Sequence, residues 1–324
     1  MANSLTLDYY VKAFSKLRVD RTHGVPAPHK PILLLSILQS VLNKIINSRN
    51  VYLTPELVSL FKHNWSVLVK SNHDCRISYP FYHLKTSGFW KLIPRSEFDQ
   101  IDAIGSAVKS FSKLNTAIEC AVLSQDLFEL MLDSESNLVL QRCILDSYFS
   151  GLRFDFKEIQ KLYLLELSHL EDKILHESAT EYKREILNLI EEKNEEELFL
   201  RGSLFKREIP KIYNNTCCIS GMRIDSTHNI SMIDACHIIP FSVSYDDTIS
   251  NGIALSPNLH RAFDRGLITI NEYFKVEVST SFVESPSLYS IKNLAAKSIK
   301  LPERIDYYPL IANLQWHREN VFKC

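Results

Sequence analysis

The sequence predicts an α+β protein of two domains. Residues 1–150 form a mostly helical domain with short strands, residues 151–200 a helical linker, and residues 201–324 a domain of two strands and a helix. Three observations predict this. The 324 residues exceed what one hydrophobic core usually serves. Charge is segregated, with balances of +7 over residues 1–100, −10 over 101–200 and +2 over 201–324. Between the ends, Phe156–Leu200 contains no glycine or proline and is rich in Glu, Lys and Leu, as solvated helices are.

The elements follow in order. Leu5–Leu17 has helical spacing, and Arg18–His29 is a polar, proline-containing loop. Pro31 opens an apolar helix over Ile32–Ile46, because proline is tolerated in a helix's first turn. Leu53–Lys70 is helical again. Ile77–Leu92 alternates with aromatics around Gly88 and predicts short strands or an irregular hairpin. Ile118–Phe149 returns to helical spacing, and Phe156–Leu200 reads as one or two helices. In the last third, Met232–Ile239 and Ile253–Leu255 are the expected strands, and Leu259–Phe263 starts a helix.

Composition excludes some classes. Apolar runs are short, so no membrane span is expected. The opening MANSLTLDYYVKAF lacks a basic head followed by an apolar core, so no signal peptide is expected. Seven cysteines, odd in number and without a framework, predict reduced thiols and a cytoplasmic protein. Cys217-Cys218 is an adjacent pair rather than a C-x-x-C, which argues against a zinc ribbon. The two positively balanced ends can meet a polyanion, whereas the acidic middle cannot.

The sharpest chemistry lies near the C-terminus. Asp234-Ala-Cys-His237-Ile-Ile-Pro240 is followed by Asn251-Gly-Ile-Ala-Leu255 and by Leu259-His260-Arg-Ala-Phe-Asp264. A single strand histidine is more often a satisfied core residue. Two histidines and an asparagine at these offsets, with Pro240 and Gly252 in place, are hard to reach by chance. The pattern suits metal-assisted phosphodiester hydrolysis. His237 is the expected general base, since a neutral imidazole with a pKa near roughly 6.5 can accept a proton at neutral pH. His260 is the expected ligand of a divalent cation that offsets phosphate charge. Asn251 would bridge the loop between the strands and hold the His237 backbone in register.

These residues resemble the HNH (ββα-metal) nucleases, and specifically the branch found in modification-dependent restriction endonucleases. Cys218-Ile-Ser-Gly221, Phe263-Asp-Arg-Gly266 and Trp316-His-Arg-Glu319 also fit that branch. The resemblance implies His237 as base, Asn251 as the structural asparagine and His260 as metal ligand. Many such enzymes place an Asp directly before the base as a second ligand; here Cys236 stands there. Asp234 lies on the same strand face and is the expected substitute ligand, with Asp264 the weaker candidate and Cys236 a small buried filler. Oxygen ligands favour Mg²⁺ or Mn²⁺.

A second resemblance covers roughly residues 8–150. Arg18-Val-Asp-Arg21, Gly24-Val-Pro-Ala-Pro28-His29-Lys30-Pro31, Tyr79-Pro80-Phe-Tyr-His83-Leu84 and Gly88-Phe-Trp90 are similar to the sulfur-binding domain of phosphorothioate-dependent (McrA-like) restriction endonucleases. The resemblance implies double-stranded, phosphorothioated DNA as partner, with Tyr79 and Pro80 forming an apolar pocket for sulfur. Sulfur is polarizable and a poor hydrogen-bond acceptor, whereas an oxygen held there would lose hydration at a cost of a few kcal/mol, roughly. His29 and Lys30, at a helix start, are expected to reach phosphates or base edges. Arg18, Arg21, Arg76 and Lys85 are expected backbone contacts. Position 83 tends to be small in that family, so His83 would narrow the pocket or donate a hydrogen bond to a different mark. Phe81, Phe89 and Trp90 are expected in the core. The alternatives are an HNH nuclease that reads a methylated base or cuts unmodified DNA, and a silent DNA-binding module. Cutting two strands with one site suggests a homodimer.

Overall fold

The computed structural model describes residues 4–20, 26–96, 110–150, 156–224 and 231–323, with the backbone alone for 156–164 and 166. Arg21 lies outside the described residues. The chain divides into two compact units, Met1–Leu167 and Ser168–Cys324.

The first unit is organised around α2, His29–Leu42, which follows α1, Ser4–Ser15. In α2, Ile32 to Leu35, Ile37 and Leu38 are all buried. A helix apolar on every face belongs in the middle of a domain, and α2 is flanked by α3 (Pro55–Leu68), α4 (Ser78–His83), α6 (Gln125–Leu132) and α7 (Ser134–Tyr148). The polar groups inside are paired. Asn64 Nδ2 donates to Ser36 Oγ at 2.9 Å and to Gln39 Oε1 at 2.8 Å. Thr54 caps α3 by accepting from the Leu57 amide, with Pro55 in the first turn.

Two expectations fail in this unit. Ile77–Leu92 is not a hairpin: it forms α4, a 3₁₀ turn over Leu84–Ser87 and only then the strand β2, Trp90–Pro94. The aromatics of the helix and strand point inward together, so Phe81, Phe89 and Trp90 are buried as expected, and Trp90 Nε1 donates to the Phe81 carbonyl at 2.8 Å. Ile118–Phe149 is not helical throughout. Helix α5, Phe111–Ala117, runs directly into the strand β3, Ile118–Leu123. β3 is the centre of an antiparallel sheet, between β1 (Asn50–Val51) and β2. Of its β-branched residues, Ile118 pairs with Pro94 of β2, and Val122 with Lys91 of β2 on one side and Asn50 of β1 on the other, too far off in sequence for a local window to reveal.

Helix α8, Phe156–His176, crosses the division, followed by α9, Ala179–Glu191, and α10, Glu195–Ile212. The stretch expected as one or two linker helices is thus three, and from Ser168 onward it belongs to the second unit. There α10 packs on the hairpin of β4, Asp234–His237, and β5, Gly252–Leu255. The close approach depends on Gly252: a Cβ there would collide with Ile209 and Phe205 of α10. Between the strands runs a short turn of helix, α11, Phe241–Ser244. Helix α12, Pro257–Asp264, follows β5, then the hairpin β6–β7 (Ile268–Ile270 and Val276–Val278) and α13, Ile311–Asn320. Among the described residues, no helix is long and apolar enough to cross a membrane.

Candidate active site and binding cleft

The antiparallel register of β4 and β5 pairs His237 with Gly252 and Asp234 with Leu255. Alternation sends Asp234 and Cys236 to one face and His237 to the other. The His237 ring lies flat on Phe205 of α10, centroids 3.9 Å apart and planes at 10°. Its Nε2 hydrogen-bonds Asp247 Oδ1 at 2.8 Å. Asp247 is itself buried, and its other oxygen accepts from the Tyr182 hydroxyl of α9 at 3.5 Å. Burial, with Asp247 beside it, pushes the Tyr182 phenol up, so it stays protonated and donates. The Arg201 guanidinium sits over the Tyr182 ring and is held by Glu185 at 2.8 Å.

Asn251 is fully buried and works through its amide. Its Oδ1 accepts from the Ile239 amide at 2.9 Å, and its Nδ2 donates to the Ile239 carbonyl at 2.9 Å and to the Asp246 carbonyl at 3.0 Å. It clamps the chain two residues past His237, the bridging geometry expected of it.

His260, in α12, faces β4. Its Nδ1 meets Asp234 Oδ2 at 3.1 Å, and its Nε2 lies 3.5 Å from Asp264 Oδ2, one turn along the helix. Cys236 Sγ is 3.9 Å from Asp264 Oδ1. Cys236, His260 and Asp264 thus bring three donor atoms within 4.8 Å of one another. Asp234, the expected second ligand, turns to the far ring nitrogen instead, where a carboxylate fixes tautomer and orientation. His237, Phe241, His260 and Asp264 share one cleft of about 320 Å³.

Behind α12, His317 is buried and stacks on Phe263. Its Nε2 donates to the Phe263 carbonyl at 3.1 Å and its Nδ1 accepts from the Thr269 hydroxyl at 2.9 Å. Burial lowers its pKa to about 4, so it is neutral. The neighbouring Gly266 has φ +70°, and a Cβ there would strike the Val321 carbonyl.

In the first unit a cleft of about 1150 Å³ is lined by Arg18, His29, Lys30, Tyr79, Pro80 and His83 among others. These are six of the nine residues expected there; Arg21 lies outside the described residues, and Lys85 is not in the lining. Arg76 stands outside the lining, over the Tyr79 ring and paired with Asp74 at 3.3 Å. His29 Nε2 bonds the Asp74 carbonyl at 2.9 Å, its ring edge-on to Tyr79, and Lys30 donates to the Arg18 carbonyl at 2.9 Å. Partial burial lowers the His29 and His83 pKa values, and nearby Lys30 and Lys85 lower that of His83 further. Both rings are held toward the neutral form. His73 also lines this cleft, and the sequence reading passed over it.

Residues 217–271 match the family model of an HNH endonuclease, and residues 8–157 match that of the ScoMcrA-like DNA sulfur-binding domain. The chain joins a DNA sulfur-binding domain to an HNH endonuclease domain. Solved structures give further similarities. The sulfur binding domain of SprMcrA complexed with phosphorothioated DNA is 18% identical, with 49% of this chain covering 94% of that one at a TM-score of 0.38. That of ScoMcrA, also with phosphorothioated DNA, is 19% identical, over 48% of this chain and 96% of that one, at 0.37. The modification dependent TagI restriction endonuclease is 18% identical over 36% of this chain, at 0.29, and this chain spans 37% of its length. No curated protein matches the chain.

HNH domains depend on divalent metal, and Cys236, His260 and Asp264 form the candidate site among the described residues. The sequence reading missed Asp247, Tyr182 and Phe205. Tyr182 and Phe205 lie outside the matched HNH segment, on helices with no nuclease signature. Asp247 carries one faint signal: Asp246-Asp247 is an acidic pair ten residues past the base, and both side chains are buried.

Proposed function

We propose that this protein is a modification-dependent restriction endonuclease: its N-terminal domain docks on phosphorothioated DNA, and its HNH domain hydrolyses a phosphodiester bond with a divalent metal ion. The observation that carries this reading is the pairing, in one chain, of a sulfur-binding segment with an HNH segment whose His237 and His260 face one cleft.

The chemistry follows from the tautomer. Asp247 accepts the proton of His237 Nε2, which leaves the lone pair on Nδ1. Nδ1 takes a proton from water, the resulting hydroxide attacks phosphorus in line, and the 3′-oxygen leaves with a proton from solvent. The products carry 5′-phosphates. The carboxylate of Asp247 stabilises the imidazolium formed, in the manner of a triad aspartate. Phe205 holds the ring plane and excludes water from one face. A divalent ion, held by His260 and Asp264 with Asp234 orienting His260, would offset charge on the phosphate and the leaving oxygen.

In the recognition cleft, Tyr79 and Pro80 wall the sulfur and penalise an oxygen that would lose hydration there. His29 and Lys30 at the start of α2, with Arg18 and Arg76, contact phosphates and set the register. His83 favours a second reading, in which its ring donates to a mark other than sulfur. The reading also places the enzyme in the cytoplasm as a homodimer, since each HNH site cuts one strand.

The deciding experiment is a gel shift with His237→Ala protein on matched duplexes, plain and carrying a stereodefined phosphorothioate in several sequence contexts. Retarded sulfur duplex alone is expected. Equal binding to both, or to neither, would overturn sulfur recognition and leave an HNH nuclease for another mark.

A further inference from the structure

The residue directly before the base is a cysteine where oxygen or nitrogen ligands are usual. It was expected to be packing filler. Its surroundings say otherwise. Cys236 Sγ approaches the carboxylate of Asp264 at 3.9 Å, and that carboxylate lies 3.5 Å from His260 Nε2. The three donors come from two elements, β4 and α12, and meet within 4.8 Å. A filler cysteine would sit among apolar groups; this one shares its space with an imidazole nitrogen and a carboxylate.

One further feature gives the cluster a direction. Asp234 engages His260 Nδ1, so Nε2 is the ring nitrogen turned to Asp264. This is the arrangement in which an outer carboxylate orients a metal-binding imidazole.

We infer that Cys236 is a ligand, through Sγ, of the divalent ion of the HNH domain, with His260 Nε2 and Asp264 completing a mixed sulfur, nitrogen and oxygen set and Asp234 acting from outside. Binding releases the thiol proton to solvent and forms one metal–sulfur bond. A thiolate is a poor partner for Mg²⁺ and a good one for Zn²⁺ and Co²⁺. The preferred cation therefore moves away from the Mg²⁺ or Mn²⁺ that an oxygen-ligand site would take. The inference rests on the HNH reading only in requiring that a divalent ion bind here.

The test uses the full-length, DNA-free protein titrated with Co²⁺. A thiolate-to-cobalt charge-transfer band in the near ultraviolet, saturating at one ion per chain and surviving excess Mg²⁺, is expected. Cys236→Ser loses the band. Cys236→Asp keeps one Co²⁺ per chain without the band, which shows that the domain still folds around its site. Asp234→Asn keeps the band and weakens Co²⁺ binding roughly 10- to 100-fold. Co²⁺ bound without the band, no Co²⁺ bound, or a band that persists in Cys236→Ser overturns the assignment. Cleavage of phosphorothioated DNA is scored separately, so either reading can fail while the other stands.

Discussion

The two units hold their functional side chains in opposite ways. In the first, His29, Lys30 and Tyr79 line a wide cleft; His29 and Lys30 are tied to backbone carbonyls, and the His29 ring is edge-on to Tyr79. In the second, both histidines are fixed by side chains: His237 by Asp247 and Phe205, and His260 by Asp234. The difference fits the tasks proposed for the two units. Recognition of a sulfur atom needs shape and low polarity, which packed rings supply without strict rotamers. Proton transfer in line with a leaving group needs one nitrogen at one place, and misplacement of about 1 Å can cost 10²-fold.

The sharpest way to break this contrast is at its centre. His237→Ala is expected to abolish cleavage, a loss of at least about 10²–10⁴-fold as for other general bases, while gel-shift affinity for DNA stays unchanged. Residual cutting at wild-type rate would remove His237 as the base.

Next in size is the carboxylate behind it. Asp247→Asn can hold the ring but loses the negative charge that stabilises the imidazolium and can present an N–H to Nε2, which favours the wrong tautomer, so kcat should fall about 10²–10⁴-fold with KM little changed. The pH profile of kcat should shift as well, which a merely structural role would not produce. Unchanged kcat would mean that the second unit is no more preorganised than the first.

The pH dependence of stability sharpens the comparison from the folding side. His317 is buried neutral, with its pKa lowered to about 4 from 6.5. Between these values the unfolded chain binds more protons than the folded one. The contribution is therefore complete above pH 6.5 and lost as pH falls toward 4, by up to about 3 kcal/mol. Urea unfolding followed from pH 7 to pH 4 should show this acid limb, and His317→Gln should flatten it. An identical limb in the variant would assign the loss to other groups.

The smallest expected effect is in the open cleft. Tyr79→Ala should cut the preference for sulfur over oxygen duplex roughly tenfold, about 1.4 kcal/mol, read as a ratio of two Kd values at one salt concentration. A ratio that does not move would show that the pocket wall lies elsewhere in the cleft.

Much of this was legible beforehand because it is local. His237, Asn251 and His260 are spaced by the hairpin and helix that carry them, and α1, α2 and α3 announce themselves by apolar periodicity and by Thr54 and Pro55. The failures have one cause. Ile118–Leu123 is a strand because β1 and β2 are there to pair with it, and Ser78–His83 is a helix because Phe81 and Trp90 close on one core. The acidic helices after Ser168 read as a solvated joint, yet they deliver Phe205 to the His237 ring, Tyr182 to Asp247 and Arg201 to Tyr182.

By itself, then, the sequence determined which residues could do chemistry and in which short elements they sit, since capping, periodicity and motif spacing act over a few residues. Only the tertiary structure decided which carboxylate serves which histidine. Asp247 was one acid among many, and Asp234 an expected metal ligand, until folding brought the first to His237 Nε2 and the second to His260 Nδ1. Contacts between residues 10 and 26 positions apart depend on how strands and helices pack, and packing is a property of the whole core.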